Sequence, residues 1–417
     1  ELPGEKSKRN VPEHISQAIP CPLQVPTEQD LKRAADILNK SKRPVILCGQ
    51  GALHAGDILL DVANLTGAPV VKALLGKAVA PDDHPLVMGG LGLLGTYPSE
   101  QAMEGCDALL MVGTSFPYMD YLPKPGQARG IQIEIAPERI GLRYPVEVGL
   151  IGDSKLTLEM LRHLLNYKRD RFWIEELQDS KRDWMKLLEE RGTRKDVPIK
   201  PQVVAHELSS LLDDDAIIST DSGTITTWIA RHLMIKKGQK FSVSGNLASM
   251  ACGLPYAIAA KLAYPERQSV CFIGDGGFTM LMGEFVTAVK YNLPITVVVI
   301  KNNTLGQIKW EQMVFLGNPE YAVDLQPIDF AKFAEACGGV GIYVEQPQDV
   351  PEALKTALKS DKPALVEVLV DPYAPPMPAK ISADQALKFT QSLLRGQPER
   401  ERIALTLFRD KVRDLIR

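Results

Sequence analysis

Cysteine is scarce and unpatterned in this chain. The six residues, Cys21, Cys48, Cys106, Cys252, Cys271 and Cys337, form no C-x-x-C pair, and several lie in apolar runs. They read as buried free thiols in a reducing cytosol rather than as a disulfide framework or zinc site. No apolar stretch approaches ~18 residues, so no membrane-spanning helix is expected. The opening ELPGEKSKRN is too polar for a signal peptide, and the expected location is cytoplasmic. A net charge of −3 without an extended basic block argues against a nucleic-acid partner. The histidines (His14, His54, His84, His163, His206, His232) show no metal-ligand spacing, and there is no Gly-x-Ser-x-Gly elbow.

What is present is alternation. At 417 residues, 45% of them hydrophobic, the chain is long enough for two or three domains with full cores. Ser269 to Ile273 is a short apolar run ending on Gly274-Asp275-Gly276-Gly277. Apolar residues then recur at helical spacing from Phe278 to Tyr291. A second apolar run, Ile295 to Ile300, ends on Lys301-Asn302-Asn303. Strand, helix and strand in this order predict parallel pairing with a right-handed crossover. Asp275 and Asn302 then share one rim, at the carboxyl ends of neighbouring strands, where ligands bind in open parallel sheets. A carboxylate and a carboxamide oxygen suit Mg²⁺, which substrate phosphates usually complete. Gly276 and Gly277 let backbone N–H groups approach an anion at a helix start. Each motif alone reads far better as a turn. Their pairing at matching strand ends favours a metal-bridged diphosphate.

Gly-Asp-Gly followed by an Asn pair closing the next strand resembles the signature of thiamine diphosphate enzymes. GGFTMLMGEF and NNTLG look like the pyruvate oxidase branch, which includes the pyruvate:quinone oxidoreductases, and the likeness runs from about Thr27 to Leu394. It implies that Asp275, Asn302 and the backbone carbonyl of Thr304 hold Mg²⁺, with Leu305 and Gly306 completing the cofactor loop. The family's first Asn falls on Lys301 here.

Residues 1–30 are rich in Pro and charge and read as a linker. The resemblance implies a pyrimidine-binding domain ahead of such a linker, carrying the glutamate that activates the cofactor's aminopyrimidine. No residue of this chain takes that role, so the 417 residues alone are expected to have little or no turnover. Helices over Leu31 to Asn39 and Ala55 to Leu65 alternate with strands Pro44 to Cys48, Pro69 to Ala73, Ala108 to Val112 and Gly130 to Ile135. This predicts a doubly wound parallel sheet over 31–165. Gly49-Gln50-Gly51 lacks the third glycine of a dinucleotide fingerprint and reads as a turn. Gly90, Leu91, Gly92 and Leu93, then Gly113, Thr114, Ser115, Phe116 and Pro117, and finally Glu134, read from the residues as loops plus one carboxylate. The resemblance makes them the FAD-binding segments, with Glu134 where the family usually has Asp.

Residues 166–196 form a charged helical connector whose Trp and Leu positions recur at packing spacing. Alternation resumes over 197–375. Ala216 to Ser219 reads as a strand before Asp221-Ser222-Gly223-Thr224, where Gly223 and Thr224 at a helix start favour phosphate oxygens. Asp221 reads equally as an N-cap or a ligand. In GNLASMACGLPYAIAAKLA, Met250 is core filler on its own merits. The resemblance makes Met250 the hydrophobe that props the bent cofactor, and the Ala248 carbonyl the acceptor for the 4′-amino group, with Ser249 between them. Gln307 and Glu311 are one helical turn apart. Glu311 matches an active-site glutamate of the branch, or is a solvated helix charge, while Gln307 stands where several members have Phe.

The tail, 376–417, carries an apolar stripe of Ala404, Phe408, Val412 and Leu415. It reads as a docking helix, or by resemblance as a peripheral contact with the inner membrane face. The expectation is two doubly wound α/β domains joined by a helical connector. They belong to a thiamine diphosphate-, Mg- and FAD-dependent enzyme that decarboxylates pyruvate or a related 2-keto acid oxidatively. Quinone or oxygen is the acceptor, and assembly is as a homo-oligomer or with a separate pyrimidine-domain chain. The alternatives are an acetolactate synthase or 2-keto acid decarboxylase, and a catalytically silent binding module.

Overall fold

The computed structural model describes residues 23–376 and 383–404. Two parallel six-stranded sheets organise the chain. The first takes β1 (Pro44–Cys48), β2 (Val70–Lys72), β3 (Val87–Gly90), β4 (Ala108–Val112), β5 (Arg129–Glu134) and β6 (Val148–Ile151) in the order β3-β2-β1-β4-β5-β6. The second takes β7 (Ile217–Thr220), β8 (Lys240–Ser242), β9 (Ser269–Gly274), β10 (Thr296–Lys301), β11 (Val340–Val344) and β12 (Ala364–Leu369) in the order β11-β12-β10-β9-β7-β8.

Helices cover both faces of each sheet. Around the first are α1 (Glu28–Lys40), α2 (Gly56–Thr66), α3 (Tyr97–Gly105) and α4 (Ser154–Arg162), and α5 (Phe172–Gly192) is the connector. Around the second lie α6 (Pro201–Leu211), α7 (Thr224–His232), α8 (Gly253–Ala263), α9 (Asp275–Leu281), α10 (Phe285–Lys290), α11 (Gly306–Val314), α12 (Phe330–Ala336) and α13 (Val350–Leu358). Further along the chain, α14 (Ala383–Leu394) packs on α11 through Phe389, Leu393, Trp310 and Met313. Central strands buried on both faces explain the unbroken apolar runs in the sequence: every residue of β1, β4 and β10 is buried. α1 starts where the Thr27 hydroxyl accepts from Asp30 N–H, and buries the face made by Leu31, Ala34, Ala35, Ile37 and Leu38.

The first sheet reverses its strand order once, and the second also steps out to β11 before returning to β12. In the first, the chain winds outward from β1 to β3 and returns to place β4 on the other side of β1. In the second, it leaves β7 for β8 and returns with β9. These reversals open crevices at the carboxyl ends of β1/β4 and β7/β9, where ligands of open α/β sheets bind.

Several readings need correction. The segment expected as one helix from Phe278 to Tyr291 is two, α9 and α10, parted by a 3-10 turn over Met282–Glu284. Gly283 sits in the break. The apolar stripe divides with it: Phe278 and Phe285 are fully buried, whereas Leu281 and Val286 are exposed. Strands β3 and β6 are short and partly glycine, and periodicity did not reveal them; Gly90 belongs to β3 rather than to a loop. Of the tail's stripe, Ala404 is exposed, while Phe408, Val412 and Leu415 lie outside the described residues. Among the described residues no helix is long and apolar enough to cross a membrane. Cys48, Cys106 and Cys271 are buried free thiols, and Cys252 and Cys337 are half-buried ones.

The two α/β units meet through a buried charge cluster. Lys72 Nζ donates to Asp82 Oδ1 (2.5 Å), and Lys77 Nζ donates to Asp82 Oδ2 (3.0 Å) and to Ala230 O (2.9 Å) near the end of α7. Asp82 Oδ2 also accepts from Ile235 N–H (2.8 Å), and Asp82 N–H donates to Ile235 O (2.8 Å). Arg231 reaches back to the carbonyls of Leu93 (2.7 Å) and Gly95 (3.1 Å).

Candidate functional site

Strand register brings the two candidate motifs together. β9 and β10 pair through Ile300↔Gly274, so Asp275 emerges one residue beyond the last pair, beside the Lys301-Asn302 corner. Asp275 Oδ2 accepts from Asn302 N–H (3.1 Å) and Asn303 N–H (2.6 Å), and Oδ1 from Gly276 N–H (2.9 Å). Asn303 turns the chain in the left-handed region at φ 55°. Asn302 Oδ1 accepts from Thr304 N–H (3.1 Å), which folds its carboxamide over the same corner. Thr304 O accepts from Gly306 N–H (2.8 Å) across Leu305, whose φ of −73° and ψ of 72° are those of an inverse γ-turn.

The electrostatics of this corner suit a cation. Asp275 is only 5% exposed. Among the described residues its hydrogen-bond donors are all backbone N–H groups. Burial pushes its carboxyl up to about 6, against the pull of the Asn303, Gly276 and Asn302 N–H groups and of the Lys301 charge. A buried carboxylate without a side-chain counter-charge is costly, and a divalent cation relieves that cost. The oxygens of Asp275, Asn302 and Thr304 are the hard donors Mg²⁺ prefers. They include no cluster of three His, Cys, Asp or Glu side chains, in line with the absence of such clusters among the described residues.

Around the corner, glycines leave room for larger neighbours to pack against the backbone. A Cβ on Gly276 would come within 3.0 Å of Leu305, 3.2 Å of Leu325 and 3.5 Å of Met250, which places Met250 beside the helix start. A Cβ on Gly277 would overlap the Asp221 carboxylate. Gly223, at φ 123°, would have no neighbour within 4 Å, so the start of α7 faces open space. Thr224 is within 3.2 Å of where a Gly306 side chain would begin. The β7/β9 crevice thus gathers Gly223, Thr224, Gly276, Gly277, Asn302 and Gly306. Ala248 takes φ 51°, a conformation glycine adopts without strain, and Ser249 N–H donates to Ser244 Oγ (3.2 Å).

Asp221 is neither the N-cap of α7 nor a candidate ligand. Its Oδ2 accepts from Ala251 N–H (2.5 Å) and its Oδ1 from Gly253 N–H (2.9 Å), closing the turn that opens α8. Burial raises its carboxyl despite the Gly253 and Ala251 N–H groups. Sequence offered no sign of this, because the partner turn lies 30 residues away.

A cavity of about 1590 Å³ lies between the two units. Its first-sheet wall includes Gly49, Gly51, Gly90, Leu91, Leu93, the run 113–117 and Glu134. Its second-sheet wall includes Ser222, Gly223, Thr226, Ala248, Gln307 and Glu311, so the start of α7 borders both this cavity and the metal corner. Gly113, at φ 54°, packs so tightly on Gly51 that a Cβ would come within 2.6 Å of its backbone, and both glycines stand at the β1/β4 reversal. Gly49-Gln50-Gly51, read from sequence as a plain turn, therefore borders the cavity as well. Gly92, at φ 93°, is not on this wall; a Cβ there would come within 3.1 Å of the Phe116 ring. Glu134 is buried at the end of β5, and its Oε1 accepts from Ile135 N–H (3.1 Å) and Ala136 N–H (3.3 Å). Gln307 Nε2 donates to Glu311 Oε1 (2.9 Å) on the cavity side of α11.

The central domain of thiamine pyrophosphate enzymes matches residues 31–161, and the C-terminal TPP binding domain of the same enzymes matches residues 221–368. The chain is 43% identical over 390 residues to YdaP of Bacillus subtilis, provisionally named as thiamine pyrophosphate-containing, covering 94% of this chain and 67% of that protein. Identity to the acetolactate synthase isozyme 3 large subunit of Escherichia coli is 31% over 388 residues, 88% of this chain and 66% of that one. Identity to the pyruvate oxidase of Lactiplantibacillus plantarum is 28% over 367 residues, 87% and 61% respectively. The chain thus spans about two thirds of the length of these curated relatives. It belongs to the thiamine pyrophosphate enzyme family, whose central and C-terminal TPP-binding domains it carries.

Proposed function

We propose that the β7/β9 crevice holds thiamine diphosphate through Mg²⁺ and that the chain serves the oxidative decarboxylation of pyruvate or a related 2-keto acid, with FAD in the cavity between the units. The observation that carries the proposal is the buried Asp275 carboxylate, set 3.1 Å from Asn302 N–H and, among the described residues, in no ion pair with a side-chain cation. Asp275, Asn302 Oδ1 and Thr304 O would hold the metal. N–H groups at Gly223, Thr224, Gly276 and Gly277 would bind phosphate oxygens at two helix starts. Met250 would support the cofactor's bend, and the Ala248 carbonyl would accept from its amino group. When bound, thiamine diphosphate supplies the carbon nucleophile and electron sink for decarboxylation.

Gln307 and Glu311 hold each other on the wall of the cavity, where Glu311 would fix or move a proton at the substrate end. Gly90, the run 113–117 and Glu134 fit a nucleotide at the β1/β4 reversal, where glycine turns admit phosphate and an acidic residue accepts from ribose hydroxyls. The same cavity touches Gly223 and Ala248, so a flavin there would face the diphosphate crevice. Quinone or oxygen would take the electrons. The glutamate that activates the aminopyrimidine would come from a pyrimidine-binding domain beyond these 417 residues, within a homo-oligomer or from a separate chain.

The higher identity to acetolactate synthases favours a second reading, carboligation of two keto acids without net oxidation. Purified protein given thiamine diphosphate, Mg²⁺ and pyruvate, with the pyrimidine-binding domain supplied, separates the two. Flavin absorbance and acceptor-dependent release of CO₂ and acetate support oxidation. Acetolactate formed without an acceptor supports carboligation.

A further inference from the structure

Lys301 ends β10 immediately before the metal corner, yet it is only 8% exposed. Its Nζ donates to Glu367 Oε1 (2.6 Å) on β12 and to Ile328 O (2.5 Å). Glu367 is fully buried, and its other oxygen accepts from Ala331 N–H (2.9 Å) in the first turn of α12. Ile328 belongs to the strap that backs the corner. In that strap Leu325 N–H donates to Asn303 O (3.0 Å), while Val323 O accepts from Leu305 N–H (2.8 Å) and Thr304 Oγ1 (3.2 Å). Every residue from Asn303 to Leu305 is therefore held from behind by 323–325, and Lys301 ties the far end of that strap to the sheet.

We propose that Lys301 is a positioning residue for the metal–diphosphate loop, fixing residues 302–305 through the 323–328 strap, with Glu367 as the counter-charge that lets an ammonium sit beside a metal site. The inference rests on the reading of Asp275, Asn302 and Thr304 as metal ligands. Ligand oxygens that come from a tight turn have no rigidity of their own, so the groups behind them set the geometry. A lysine alone would repel the incoming cation. Paired with Glu367 inside the fold it is locally neutral, and its three protons lock two segments at once.

The test is Mg²⁺ titration of the full chain with thiamine diphosphate present, read by calorimetry and by the rise in Tm. Binding by the unmodified chain is the first expected result. Lys301→Met should then raise the Mg²⁺ concentration for half-saturation by about tenfold or more, the usual cost of losing a group behind a metal ligand. Lys301→Arg, which keeps the charge and the donors, should recover most of that loss. The double variant Lys301→Met with Glu367→Met removes both buried charges; it should regain the thermal stability lost in Lys301→Met, but not the Mg²⁺ affinity. Unchanged half-saturation in a folded Lys301→Met, or affinity and stability returning together in the double variant, overturns the proposal while leaving the metal site intact. Failure of the unmodified chain to bind removes the metal reading and this inference with it.

Discussion

The two sheets are both parallel and six-stranded, with different strand orders, and they differ in how they treat charge at their reversals. At β7/β9 a buried carboxylate, Asp275, is surrounded by backbone N–H groups and, among the described residues, forms no ion pair with a side-chain cation. Beside the β1/β4 reversal the buried carboxylate already has side-chain cations, since Asp82 lies between Lys72 and Lys77, and the cluster also bonds to the neighbouring unit. The first crevice is electrically unfinished and asks for a metal. The second offers glycine turns and apolar wall and asks for a ligand with its own polarity. Doubly wound parallel sheets can therefore take two unlike ligands at their reversals.

Four changes test that contrast. The largest effect is expected from Asp82→Asn, which leaves two buried ammonium groups facing a neutral amide and costs about 3–5 kcal/mol, read as a fall in chemical-denaturation stability. Asp275→Asn should lower Mg²⁺-dependent thiamine diphosphate affinity by about 100-fold in calorimetry. The same variant should leave the cofactor-free Tm unchanged or higher, because it removes an unbalanced buried charge. If both aspartates behave alike in the cofactor-free protein, the distinction between a finished and an unfinished site fails.

Acid sharpens the contrast. Burial alone would raise the Asp82 carboxyl, but Lys72 and Lys77 outweigh it and hold the group at about 2. Its value in the unfolded chain is near 4, about two units higher. The stabilisation is thus complete above pH ~4 and is lost as pH falls towards ~2, on the order of 2 kcal/mol. Near-UV circular dichroism across that window should show the contact between the units loosening, and the loss should be absent from Asp82→Asn. The smallest effect is expected from Gly277→Ala. A methyl group there displaces the Asp221 carboxylate from Ala251 and Gly253, at about 1–2 kcal/mol in thermal unfolding.

Much of this was legible in the sequence, for a physical reason. Buried parallel strands must be apolar throughout, so β1, β4, β9 and β10 announce themselves, and register then fixes Asp275 beside Asn302. Helix starts after such strands are equally plain, as at Thr224 and Gly306. Three-dimensional partners were not legible. Asp221 carries the signature of a local cap but serves a turn 30 residues on. Gly283 interrupts a helix whose apolar period continues through the break, and β3 and β6 are too short to show a period. The contact of Lys301 with Glu367 and Ile328 depends on β12 and on the strap, both remote in sequence.

The central claim is that the β9 and β10 tips deliver oxygens to one divalent ion. It is tested most directly by a crystal of the chain soaked with thiamine diphosphate and Mn²⁺ in place of Mg²⁺, measured at a wavelength where manganese scatters anomalously. The account predicts a single strong peak bonded to Asp275, Asn302 Oδ1 and Thr304 O at roughly 2.0–2.3 Å, with diphosphate density against Gly223 and Gly276. A peak elsewhere, or diphosphate bound at the β1/β4 reversal with the Asp275 corner empty, would contradict it.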